Sequence, residues 1–97
     1  MSLTEIIMVY SITNTTLTKC ISLMRENTSF SQHTVILLCE YIAKLYNVQK
    51  IIVENLSEII DFETGAEMKK YISGKVTECA EIEKRISEET PISLYTH

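Results

Sequence analysis

The residues able to do chemistry are few: His33, His97, Asp61 and the thiols Cys20, Cys39 and Cys79. A nucleophile and base would join Cys39 to His33, the imidazole activating the thiol. Six positions separate them, which on a helix turns them to different faces, so they cannot touch within one element. Asp61 is the sole aspartate, and no motif gathers it with a serine and a histidine. Metal chemistry has no better start. The cysteines lack CxxC spacing, no His or Cys pair stands at ligand spacing, and the carboxylates of "ENLSEIIDFE" lack the glycine of a calcium loop. Gly65 and Gly74 belong to no GxxxxGK[ST] phosphate loop. The sequence therefore predicts a non-enzymatic protein with no metal, no cofactor and no small-molecule ligand.

Charge narrows the partners. Net charge is −4, and the nine cations are scattered rather than gathered on one stretch. Nucleic-acid affinity comes mainly from cations that displace condensed counterions, so this distribution disfavours nucleic acid. Residues 51–68 hold no cation, while Glu54, Glu58, Asp61, Glu63 and Glu67 are acidic. That run repels phosphate backbones and anionic membrane surfaces. It abuts the basic "KKYISGK", and a charge boundary of this kind can steer a complementary protein. The five acidic residues are therefore a candidate steering face.

One segment argues the other way. "EYIAKLYNVQKIIVENL" has a small residue at Ala43, a turn candidate at Asn47 and apolar positions at Val48, Ile52 and Leu56, the skeleton of a helix-turn-helix. Its second helix would expose Lys50 against Glu54 and Glu58, the wrong balance for reading DNA. The expectation is a pair of core helices, with Val35–Ile59 as hidden interior; a wingless, dimeric helix-turn-helix regulator is the alternative.

Three cysteines, each among apolar neighbours, read as reduced buried thiols in a reducing, intracellular compartment, the cytoplasm first. The start of the chain shows no basic n-region, and the longest apolar runs, "IIMVY" and "VILLC", are five residues, too short to span a bilayer. Sequons at Asn14, Asn27 and Asn55 read as coincidence in a chain rich in Ser and Thr.

These side chains need elements to hold them. Two glycines and one proline cannot supply the turns of an all-β fold, so the fold class is all-α. The expectation is one domain over 1–97, a single small bundle of four or five helices, with 91–97 as a short tail. Ser2 and Glu5 form a capping box for a helix carrying Leu3, Ile6, Ile7 and Tyr10. Leu3, Tyr10, Leu17 and Met24 stand seven apart, yet Asn and Thr in "TNTT" compete for backbone hydrogen bonds and predict a break near Asn14. Ser29 or Ser31 caps a second helix from Gln32, ending at Asn47 or continuing to Ile60. After "DFETG" the stripe Met68, Ile72, Val76, Cys79, Ile82 and Ile86 continues to Pro91, with Glu81–Arg85 and Lys84–Glu88 as outer ion pairs. Two such stripes exceed what a monomer of 97 residues hides. The sequence thus predicts protein binding, as an adaptor, inhibitor or assembly subunit, with self-association as a homodimer. The interface residues are Leu3, Ile7, Tyr10, Leu17, Met68, Ile72, Val76, Cys79, Ile82 and Ile86.

Overall fold

The capping box at Ser2 and Glu5 opens the first helix of the computed structural model, which describes residues 2–27, 29–61 and 65–89. The Glu5 amide donates to Ser2 Oγ at 3.2 Å, and the Ser2 amide donates to Glu5 Oε1 at 3.3 Å. Helix α1 then runs unbroken over Leu3–Glu26. The break expected near Asn14 is absent. Thr13, Thr15, Thr16 and Thr18 donate their hydroxyls to carbonyls three or four residues back, at 2.8–3.1 Å. Bonded that way, the hydroxyls add to helical carbonyls instead of competing with the ladder.

Helix α2 spans Gln32–Glu54, capped by Ser31, whose Oγ accepts from the Thr34 amide at 3.2 Å. It passes straight through Asn47. Val48 and Ile52 beyond that point are buried, and each such burial is worth about 1.5–3 kcal/mol. Asn costs a helix at most about 0.7 kcal/mol relative to Ala, so packing wins. The helix ends instead at Asn55, whose side chain donates to Ile51 O at 2.8 Å.

Helix α3, Leu56–Ile60, is one short turn, and α4 follows over Gly65–Glu89. Gly65 is required at this corner: a Cβ there would lie 2.8 Å from Ile59 O and 3.1 Å from Glu58 O. The described residues contain no strand, so the fold is an all-α bundle of four helices. The acidic Glu63 and the tail 91–97 lie outside the described residues.

Helices α1, α2 and α4 alternate in direction, in a body 49 × 22 × 19 Å. Helix α2 is the centre. Its stripe of Leu37, Leu38, Tyr41, Leu45, Val48 and Ile52 is buried between α1 and α4. Those two helices both pack on α2 and scarcely touch each other, which leaves an open seam between them. Across the α2–α4 contact, His33 Nε2 lies 2.6 Å from Glu89 Oε2 and Lys44 Nζ lies 3.9 Å from Glu78 Oε2. On α4 itself the ion pair is Lys75–Glu78 at 3.4 Å, rather than Glu81–Arg85 or Lys84–Glu88.

Candidate protein-binding surface

The core stripe of α2 carries one polar cross-link. Tyr41, 2 % exposed, donates its hydroxyl to Glu83 Oε2 at 2.8 Å. Burial, and then the Glu83 carboxylate, raise its pKa well above the usual phenol range. Nearby Cys20 is raised to about 11 by burial and then by Glu83. Cys79 is raised as well, by burial first, with Lys44 opposing. Thiols held protonated this way are poor nucleophiles. Among the described residues, every buried side-chain nitrogen or oxygen has a hydrogen-bond partner, and no three His, Cys, Asp or Glu stand together as metal ligands.

The second predicted stripe is interior. Ile72, Cys79, Ile82 and Ile86 are buried against the rest of the chain, and Met68 and Val76 pack half-buried beside them. For the four buried residues, Ile72, Cys79, Ile82 and Ile86, the expected interface gives way to the interior: they form the α4 side of the core, because α2 supplies the matching apolar face. Leu17 is likewise half-buried against the core. Cys39, expected inside, is exposed, since the buried positions of α2 lie on the opposite side of that helix. Leu3, Ile7 and Tyr10 remain outside, with Ile7 62 % exposed.

Those three are joined by residues that the sequence reading assigned to the interior. Tyr46, 62 % exposed, and Val53, 60 % exposed, stand seven apart on one face of α2. Together with Tyr10, Gln49, Lys50 and Glu54 they line a groove of about 320 Å³ along the α1–α2 seam. Gln49 Nε2 donates to Asn14 Oδ1 across that seam at 3.4 Å, and Lys50 lies 4.0 Å from Glu54 at its edge. The surface thus has an apolar centre and a polar rim, the composition of a protein-binding patch.

Helix α1 adds a second feature. Residues 6–18 contain no charged side chain, although Ile7, Met8, Tyr10, Ser11, Ile12, Asn14, Thr15 and Thr18 are all exposed. Residues 3–12 hold five of the twelve exposed large apolar side chains found among the described residues. A charge-free helical face in water is unusual, and depletion of charge marks the centres of interfaces. Absence of Asp, Glu, Lys and Arg over those thirteen positions was the signal in the sequence that could have found this face.

The acidic residues are distributed along one end of the molecule. Glu54, Glu58, Asp61 and Glu67 are exposed, and Glu58 and Glu67 share a cleft with Met68 and Tyr71. Lys75 Nζ sits 5.4 Å from the Tyr71 ring centroid, so the basic flank begins directly beyond the cleft. Helix α2 has no turn at Asn47, the position where the helix-turn-helix alternative needs one. Gln49 and Lys50 are engaged with Asn14 and Glu54. No described helix is long and apolar enough to cross a membrane. Comparison with protein-family models, with curated proteins and with solved structures gives no match.

Proposed function

We propose that this chain is a non-enzymatic protein-interaction module, an adaptor, inhibitor or assembly subunit, that binds a protein through the α1–α2 face and also self-associates. The observation that carries the reading is the groove of Tyr10, Tyr46 and Val53, with the exposed Leu3 and Ile7 on the same face of α1 as Tyr10. Large exposed apolar patches rimmed by polar groups mark interaction sites in soluble domains. The acidic end formed by Glu54, Glu58, Asp61 and Glu67 favours a partner that is basic beside its apolar contact, because complementary charge steers encounter and fixes orientation.

The test is affinity capture from the source cell with wild type and with the variant Ile7→Glu/Val53→Glu. Both side chains are exposed, so the variant keeps the fold and places one charge in the groove at Val53 and one on the adjoining face of α1 at Ile7. A protein held by wild type and lost by the variant supports the assignment. An identical set of proteins on both removes this face from consideration. Self-association is read separately by light scattering: a mass of 11.1 kDa at every concentration eliminates it.

A further inference from the structure

We infer that α1 pairs with α1 of a second copy, antiparallel, about a two-fold axis passing at Ile12, on the flank facing the α1–α4 seam. This deepens the self-association reading above but uses a different face from the groove proposed for other proteins. Glu5, Met8, Ile12, Thr16 and Lys19 follow one another at spacings of three or four and so share a single face of α1. Met8 is 55 % exposed and Ile12 60 %. Thr16, half-buried at the edge of the seam, donates its hydroxyl to Ile12 O at 2.9 Å. Beside Ile12 and Thr16 the open seam forms a groove of about 120 Å³ whose α4 wall is Val76, Cys79 and Ala80, with the Glu83 carboxylate at the same wall. An apolar side chain from outside can lodge there.

The occupant follows from charge. The thirteen uncharged residues 6–18 are bounded by Glu5 on one side and Lys19 on the other, and their midpoint is Ile12. In an antiparallel pair centred on Ile12, Glu5 of each copy meets Lys19 of the other, and Ile12 meets Ile12. A parallel pair would oppose Glu5 to Glu5 and Lys19 to Lys19, a like-charge arrangement that complementary interfaces avoid. The single cap bond to Glu5 Oε1 leaves the carboxylate further acceptor capacity. The uncharged stretch 6–18 of α1 also lets two chains of net charge −4 approach with little repulsion between their helices. Helix α1, 24 residues long, extends about 36 Å, ample for a helix pair. A standard interface takes about 800 Å² per partner, roughly one-eighth of the 6464 Å² surface. Two apolar anchors per copy place this contact at the small end, so the dimer forms and dissociates with concentration. The symmetry is isologous, with one patch used by both copies.

Two measurements test the geometry. In a Cys39→Ser background, Ile12→Cys sits on the two-fold axis, so mild oxidation gives a disulfide-linked dimer, whereas Ser73→Cys in the same background gives none. In sedimentation equilibrium, Lys19→Glu weakens dimerisation by about fivefold or more, since two opposite-charge pairs are replaced by two repulsions. Adding Glu5→Lys to that variant restores the affinity, because the swapped charges again oppose each other. Glu5 and Lys19 are too far apart on one helix to rescue each other within a chain. No cross-link at position 12, or no recovery in the double swap, overturns the antiparallel pairing. A protein that associates in solution yet gives neither result retains self-association and loses this geometry. The capture experiment on Ile7 and Val53 is unaffected by either outcome.

Discussion

Alkaline pH should strip stability from this fold, and Cys20 sets the scale. Its thiol is raised from 9.0 to about 11, so the folded chain keeps a proton that the unfolded chain releases. Above pH 9 the unfolded state binds fewer protons than the native one, and unfolding free energy falls as pH rises. The contribution is complete below pH 9 and disappears as pH passes through 11. A shift of two units corresponds to about 2 kcal/mol lost by pH 10.5 and about 3 kcal/mol at the limit. Domains of this size have about 5–15 kcal/mol in total, so the loss is a large fraction. Cys79 and Tyr41 are shifted in the same direction and steepen the fall. Urea denaturation followed by far-UV ellipticity, repeated from about pH 8 to about pH 10.5, gives the slope. Cys20→Ala lowers absolute stability by leaving a cavity, but its slope against pH must be shallower than that of wild type. Equal slopes, or a flat profile up to pH 10.5, would refute the burial of Cys20 as the source.

Tyr41→Phe keeps the ring in place and removes the hydroxyl bonded to Glu83; thermal and urea melts should show a loss of about 1.5–3 kcal/mol. Gly74 has open space where a Cβ would go, so Gly74→Ala stabilises by about 0.5–1 kcal/mol and raises Tm by about 2–8 °C. Gly65→Ala forces a methyl onto Ile59 O and destabilises by about 1–3 kcal/mol in the same assay. Native protein treated with a thiol reagent should label once per chain, at the exposed Cys39, and three times when denatured, because Cys20 and Cys79 are buried; two rapid labels in the native state would contradict the core.

Much of the architecture is legible in the residues. The scarcity of Gly and Pro, the cap at Ser2, the cap at Ser31 and the heptad-spaced stripes specify helices and most of their ends. The boundaries that fail, Asn14 and Asn47, are places where local propensity is a weak term. At Asn14 the flanking threonines satisfy themselves on their own backbone, and at Asn47 the burial of Val48 and Ile52 outweighs the preference of one residue to stop. The candidate site was half legible. Leu3, Ile7 and Tyr10, expected at an interface, are exposed apolar positions, whereas Val53, Met8 and Ile12 carry no spacing that sets them apart in the sequence.

The division has a physical basis. Helical periodicity and caps are written in neighbours within four residues, so composition, caps and spacing indicate an all-α chain and its charge pattern, while packing decides where the helices run on. Which apolar stripe lies inside is decided by which stripe finds a complementary one across the bundle. Only the packing of α2 between α1 and α4 turned Ile72, Cys79, Ile82 and Ile86 inward, left Cys39, Tyr46 and Val53 in solvent, and opened the seam beside Ile12. Apolarity drives a side chain from water without naming the surface that receives it, and that choice belongs to the tertiary structure.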